Sequence, residues 1–153
     1  MSLEHGCPPV GCDGMDEVSI DHVGIATNSL EGASEFWEAL GFIRTGDHMN
    51  EQQGVSIRMF NSTLNEDARA SIELLEPIGP DTPIGRFLAN RGEGIQQLAV
   101  RVPDIQETID RLDGLGVRMI DREPVPGATG TMIAFVHPSC TGGVLVELVE
   151  RLH

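Results

Sequence analysis

Two stretches of this chain share one pattern of apolar and polar positions. The first reads IDHVGIATNSLEGASEFWEALGF, from Ile20 to Phe42, and the second reads IQQLAVRVPDIQETIDRLDGLGV, from Ile95 to Val117. Apolar positions coincide at a constant offset of 75 residues. Each stretch begins with the alternation typical of a strand and continues with apolar residues at helical spacing. The pattern therefore predicts an internal repeat that opens with a strand and a helix.

The ends of the predicted helices carry matching signals. Ser29 and Asp104 are favoured N-cap residues, and Gly41 and Gly116 suit the left-handed position that follows a helix. Between the repeats a threonine followed by a proline predicts a short linker helix over about residues 82–91.

Short apolar runs after each helix predict three further strands per repeat. They are FIRTG, VSIRMF and ASIELLEP in the first repeat, and VRMI, TMIAFVHP and VLVELVE in the second. Gly, Asn, Asp and Pro separate them, as is typical of hairpins. The order is βαβββ twice, which predicts an α+β fold. We expect a flexible tail at residues 1–17 and a single domain at 18–153, with modules at about 18–76 and 93–151.

Polar residues occupy the same two positions in both repeats. His22 and Gln97 lie at the third position of the first strands, and Glu73 and Glu147 lie within the apolar runs of the last strands. A lone acid facing solvent would satisfy strand alternation. Recurrence in both repeats instead favours a concave sheet on which the four side chains meet at a cation. One imidazole and three oxygen donors suit a divalent ion such as Co, Mn, Ni, Mg or Zn.

The composition of the chain argues against several classes of binding partner. The 153 residues carry a net charge of −14, which argues against nucleic acid or an anionic membrane as a partner. No apolar run approaches the roughly 18 to 20 residues that span a membrane, and the N-terminal residues do not resemble a secretory signal. Three cysteines, two of them in the tail, predict no disulfide framework and indicate the cytoplasm.

These motifs resemble the vicinal oxygen chelate (glyoxalase/bleomycin-resistance/dioxygenase) superfamily, and within it the methylmalonyl-CoA epimerases. The resemblance covers residues 20–150 through IDHVGIA, NEQQGV, IELLEP, PIGRFLANRGEGI, VRMIDREPVPGATGTMIAFVHP and GGVLVELVE. It implies two βαβββ modules that form an eight-stranded curved mixed sheet around a divalent metal ion. The implied metal ligands are His22, Glu73, Gln97 and Glu147.

The resemblance also implies an activity. Such proteins are isomerases that epimerise an acyl-CoA thioester, with methylmalonyl-CoA the first candidate, through a metal-stabilised enolate. One group removes the α-proton and a group on the other face returns it, and Glu147 falls on one of these catalytic positions. An acyl-CoA or other chelating small molecule is the implied partner, and a homodimer is the implied assembly.

The chain departs from the family's pattern at two positions. A metal-binding histidine of the family falls on Gln97, whose neutral carbonyl oxygen is a weaker ligand. The second catalytic acid falls on Ile57, which cannot carry a proton. His48 and Glu51 lie nearby in the chain, but the sequence does not show that either replaces this acid. Two alternatives stay open: a non-catalytic small-ligand-binding protein of the same type, and a related lyase or isomerase with another substrate.

Two further features have ordinary interpretations. His137 precedes Pro138 and is interpreted as a residue at the end of a strand. The segment PGATGT lacks the lysine and the strand-to-helix context of a phosphate-binding loop. It is interpreted as a hairpin that, by the resemblance, borders the active site.

Overall fold

The computed structural model describes residues 18–62, 70–128 and 130–152. Within these ranges the chain forms eight β-strands, three α-helices and one 3-10 turn. The strands are β1 (Ser19–Ala26), β2 (Ile43–Asn50), β3 (Val55–Asn61), β4 (Ser71–Pro77), β5 (Gly94–Arg101), β6 (Val125–Pro126), β7 (Thr131–Val136) and β8 (Val146–Arg151). The helices are α1 (Leu30–Leu40), α2 (Pro83–Arg91) and α3 (Ile105–Gly114). The predicted tail at 1–17 lies outside the described residues.

The eight strands form one sheet in the order β2-β3-β4-β1-β5-β8-β7-β6. An antiparallel β1–β5 pair lies at the centre, and the parallel pairs β1–β4 and β5–β8 flank it. The outer pairs on both sides are antiparallel. The strand order on one side of the centre therefore mirrors the order on the other side. This arrangement confirms the predicted α+β fold with two βαβββ modules in an eight-stranded mixed sheet.

The helix ends follow the predicted signals. The side chains of Ser29, Thr82 and Asp104 each accept a hydrogen bond from the backbone N–H three residues further along the chain. Gly41 has a φ of 117° and Gly116 a φ of 83°, a left-handed conformation that costs glycine little because it has no Cβ. Local sequence therefore accounts for where all three helices begin and for how α1 and α3 end.

One predicted strand is wrong. The run VRMI, residues 117–120, contributes only an isolated bridge between Met119 and Val136. The strand that pairs with β7 at this edge is the two-residue β6. Met119 is buried in the apolar cluster of α3, β7 and β8. Met119 is therefore apolar because it packs under α3, not because it belongs to a strand. A short apolar run in the sequence does not distinguish these two roles.

Two of the apolar core clusters lie between the sheet and the helices α1 and α3. Leu74 of β4 packs against Leu30 of α1, and Leu148 of β8 packs against Ile109 of α3. Because neighbouring residues of a strand point to opposite faces, Glu73 and Glu147 face away from these helices. Helices α1 and α3 thus cover one face of the sheet, whereas α2 packs on part of the other face and leaves the rest of it for a site.

Candidate functional site

The sheet face opposite α1 and α3 encloses a cavity of about 770 Å³. Residues of β2 and β3 line it together with residues of β7 and β8. These strands lie towards opposite edges of the sheet, so the sheet curves until its two halves face each other. Glu73 is 8% exposed and Glu147 is 6% exposed. Their burial in the cavity excludes the interpretation in which these acids simply face solvent.

The four side chains predicted to bind a metal converge in this cavity. His22 Nε2 lies 3.1 Å from Glu73 Oε2 and 3.6 Å from Glu147 Oε2. Gln97 Nε2 donates a hydrogen bond to Glu147 Oε2 at 2.8 Å. Strand pairing causes the convergence, because Gly24 of β1 pairs with Glu73 on one side and with Gln97 on the other. The central strands of the two modules thus bring equivalent positions together.

The imidazole of His22 lies among three carboxylates. Its Nδ1 is 2.8 Å from Asp21 Oδ2, and its Nε2 faces the two glutamates. Burial opposes protonation, but the carboxylates of Asp21, Glu147 and Glu73 outweigh burial and raise the pKa of His22 to about 10. Burial is also the largest cause that raises the pKa of Glu73. The three carboxylates therefore favour the protonated form of the His22 imidazole over its neutral form.

Asp21 is a site residue that sequence reasoning missed. Strand alternation would place Asp21 and His22 on opposite faces, but a register shift between Ile20 and His22 lets both border the cavity. Arg101 Nε and Arg151 Nε donate to Asp21 Oδ1 at 3.0 and 2.8 Å. Burial raises the pKa of Asp21, but hydrogen bonds with His22 and Arg151 outweigh it and hold this pKa well below its usual range. The available sequence signal was a carboxylate directly before a candidate metal histidine.

The donor set fits a divalent cation. His22 Nε2 is buried and has no well-aligned hydrogen bond, while a carboxylate holds Nδ1, the usual arrangement of a metal-binding histidine. Two carboxylates and an amide complete a set suited to a hard or borderline ion. No three His, Cys, Asp or Glu side chains among the described residues are already spaced to hold a metal ion. The carboxylates lie against the imidazole instead, so the metal site stays a prediction.

The wall of the cavity formed by β2 and β3 includes the second departure from the family's pattern. Ile57 lines the cavity and packs against the apolar cluster of Val55, Leu75 and Ile84. Its side chain gives this part of the wall an apolar surface that cannot exchange a proton. His48, which pairs with Ile57 across the β2–β3 hairpin, lines the same cavity.

Two other candidates have clear places in the structure. His137 does not line the cavity; its Nδ1 accepts a hydrogen bond from Ser139 N at 3.1 Å and caps the 3-10 turn Pro138–Cys140. The segment PGATGT joins β6 to β7, and Gly127 and Thr131 border the cavity. Its fourth residue lies outside the described residues.

The sequence of this chain matches a known superfamily and a curated relative. Residues 21–135 match the sequence model of the Glyoxalase/Bleomycin resistance protein/Dioxygenase superfamily. The chain belongs to this superfamily. It is 36% identical over 134 residues to the ethylmalonyl-CoA/methylmalonyl-CoA epimerase of Cereibacter sphaeroides, a match that covers 86% of this chain and 96% of that protein.

Solved structures of the superfamily resemble the whole described fold. The crystal structure of methylmalonyl-CoA epimerase from Mycobacterium tuberculosis is 38% identical, with a TM-score of 0.81 and coverage of 88% of this chain and 89% of that one. A methylmalonyl-CoA epimerase in complex with methylmalonyl-CoA and NH4+ is 36% identical, with a TM-score of 0.80 and coverage of 88% and 94%. These relatives confirm the predicted superfamily and support an epimerase enzyme. No helix of the described residues is long and apolar enough to cross a membrane.

Proposed function

We propose that this protein epimerises the α-carbon of an acyl-CoA thioester and that methylmalonyl-CoA is its substrate. The observation that carries this proposal is the convergence of His22, Glu73, Gln97 and Glu147 in one cavity of about 770 Å³. Relatives named for methylmalonyl-CoA epimerase, at 36 to 38% identity over most of the chain, support the substrate class.

The reaction needs a site that stabilises negative charge. The α-proton of a malonyl thioester is weakly acidic, and its removal places charge on the thioester oxygen. Groups aimed at that oxygen before the reaction lower the barrier because they need not reorganise. A divalent ion held by His22, Glu73, Gln97 and Glu147 would supply this stabilisation as a Lewis acid.

The protein's own groups position the reacting atoms. Asp21 holds Nδ1 of His22, and two arginines hold Asp21, so the imidazole is fixed in one orientation. The Gln97 amide holds one oxygen of Glu147. In this proposal the Glu147 carboxylate accepts the α-proton as general base, a role that requires a carboxylate within hydrogen-bond reach of the substrate.

Proton exchange tests this function directly. The protein, loaded with Co²⁺ or Mn²⁺, is incubated with (R)-methylmalonyl-CoA in D₂O, and α-deuterium is followed by NMR. We expect incorporation, with a rate at least about 100-fold lower in the Glu147→Gln variant, because general bases contribute about 10²- to 10⁴-fold. Incorporation no faster than in this variant would refute the proposal.

A second candidate is a protein that binds such a ligand without turning it over. The apolar Ile57 on the cavity wall favours it, since inversion needs a proton carrier on each face. Calorimetry with methylmalonyl-CoA, followed by recovery of the ligand, separates the two. Tight binding of a ligand recovered with its configuration and its α-hydrogen unchanged would support the binding protein over the epimerase.

A further inference from the structure

The proposed reaction needs a proton carrier on each side of the substrate's α-carbon. Glu147 is available on β8, on one side of the cavity. The facing wall is formed by β2 and β3, and there β3 presents Ile57. Since an aliphatic side chain neither accepts nor donates a proton, inversion requires another group on this wall.

Strand register places His48 beside Ile57. The two residues are direct partners in the antiparallel β2–β3 pair, and such partners project from the same face with Cβ atoms about 4.5–5.5 Å apart. The neighbouring pair, Asp47 and Arg58, confirms this orientation. Arg58 donates hydrogen bonds to Asp47 Oδ1 and to Ser34 Oγ of α1, each at 3.0 Å, so the Asp47–Arg58 pair faces the helix. By alternation His48 and Ile57 face the cavity, which both of them line.

Few other proton carriers border the cavity among the described residues. Asp21 is engaged with His22 and with two arginines. Outside the buried cluster around His22, the acid–base side chains of the cavity lining are His48 and Glu51. Glu51 lies in the turn after β2, beyond the strand wall. His48 is on the wall itself, and histidine is the side chain used most often for general acid–base catalysis.

We propose that His48 is the second proton-transfer residue and that it takes the place of the acid missing at position 57. This inference rests on the proposed function. As the Glu147 carboxylate takes the α-proton, the electron pair of that C–H bond passes towards the thioester oxygen. A ring N–H bond of protonated His48 then breaks, directly or through one water, while the new C–H bond forms on the opposite face. The cycle leaves Glu147 protonated and His48 neutral, and exchange with solvent restores both.

The test separates inversion from proton exchange. The metal-loaded protein and its His48→Gln variant each receive the (R) and the (S) epimer in D₂O, and NMR and chiral analysis follow deuterium and configuration. We expect the variant to lose at least about 100-fold in inversion. The variant should retain α-deuterium exchange with the epimer whose α-proton Glu147 removes. A merely structural role would reduce exchange and inversion together.

Three further variants serve as a control, a rescue and a second test of His48. His137→Gln makes the same change outside the cavity and should keep both activities. Ile57→Glu in the His48→Gln background places a carboxylate on the same wall, and we expect it to restore inversion. His48→Asn repeats the test with a second side chain. Circular dichroism verifies that each variant is folded. Because His48 is exposed on an edge strand, we expect its substitution to cost little stability.

The outcomes distinguish this inference from the function on which it rests. A wild-type protein that neither exchanges nor inverts the thioester refutes both. A wild-type protein that inverts it, with His48→Gln inverting equally fast, refutes the role of His48 and leaves the epimerase standing. Loss of inversion in Glu51→Gln, without loss in His48→Gln, also overturns the assignment and moves it to Glu51.

Discussion

At the scale of single residues, the orientation of one amide decides how the candidate site meets a metal. The Gln97 NH₂ group donates to Glu147 Oε2 at 2.8 Å, so the hydrogen bond uses the end of the amide that cannot bind a cation. The carbonyl oxygen is available as a ligand, but it is neutral. An imidazole at this position would offer a nitrogen lone pair, which most transition metals bind more strongly.

Gln97→His should therefore tighten the binding of Co²⁺ or Mn²⁺ by about tenfold or more, since even residues that only support a ligand change metal affinity about 10- to 100-fold. Calorimetric titration of chelator-stripped protein measures the change.

The neighbouring glutamine is a matched control for this substitution. Gln96 precedes Gln97 in β5 and does not line the cavity. Gln96→His adds the same imidazole outside the site and should leave metal affinity unchanged. Equal affinities of Gln97→His and wild type would mean that position 97 does not bind the ion.

At the scale of elements, the helices were more predictable than the strands. Caps and helical spacing are local signals, and they predicted α1, α2 and α3 close to their observed bounds. The run VRMI was wrongly predicted as a strand because Met119 is apolar for a tertiary reason, its packing under α3. Strand identity depends on neighbours that are distant in the sequence.

Strand β1 also contains a glycine on which the site depends. A Cβ at Gly24 would lie 2.6 Å from Gln97 Cγ and 3.1 Å from Leu75 Cδ1. We expect Gly24→Ala to displace the Gln97 side chain, to weaken metal binding and to lower the free energy of unfolding by about 1–3 kcal/mol, as overpacking does. Chemical denaturation and calorimetry of the same samples measure the two effects.

Gly46 of β2 is the matching strand glycine, because a Cβ there would meet nothing within 4 Å. Gly46→Ala should change neither metal affinity nor, by more than about 0.5 kcal/mol, stability. Unchanged metal binding in Gly24→Ala would show that the approach of the two strands does not position Gln97.

At the scale of the whole molecule, one sheet joins the two modules. The β1–β5 pair runs through the centre of the sheet, and the site takes two side chains from each module. A module on its own would leave the edge of its central strand unpaired, which is unfavourable for a soluble sheet. We therefore propose that the predicted single domain unfolds as one cooperative unit.

The location of the only tryptophan makes this cooperativity measurable. Trp37 lies in α1 of the first module, whereas Ile109, 2% exposed, lies in the core under α3 of the second. Ile109→Ala should lower stability by about 2–5 kcal/mol. Under the proposed cooperative unfolding, the Trp37 fluorescence transition in urea should move to lower denaturant together with the circular dichroism transition. A fluorescence midpoint that stays at its wild-type value would indicate two independently stable modules.

Sequence by itself determined the repeat, the βαβββ order, the helix caps and the four polar positions that converge in the cavity. These depend on local periodicity, or on the equivalence of repeats, and both can be read along the chain. The departures at Gln97 and Ile57 were found instead by the resemblance to the superfamily's motifs, which also needs no coordinates.

Only the tertiary structure decided which atoms meet. The register shift that turns Asp21 towards His22, the amide orientation of Gln97 and the pairing of His48 with Ile57 each depend on how separate strands align. A shift of one residue would send each of these side chains to the opposite face. Strand register is set by contacts between strands that are distant in the sequence. The alternation of apolar and polar residues predicts which residues share a face, but it does not predict which residue of the neighbouring strand each one pairs with.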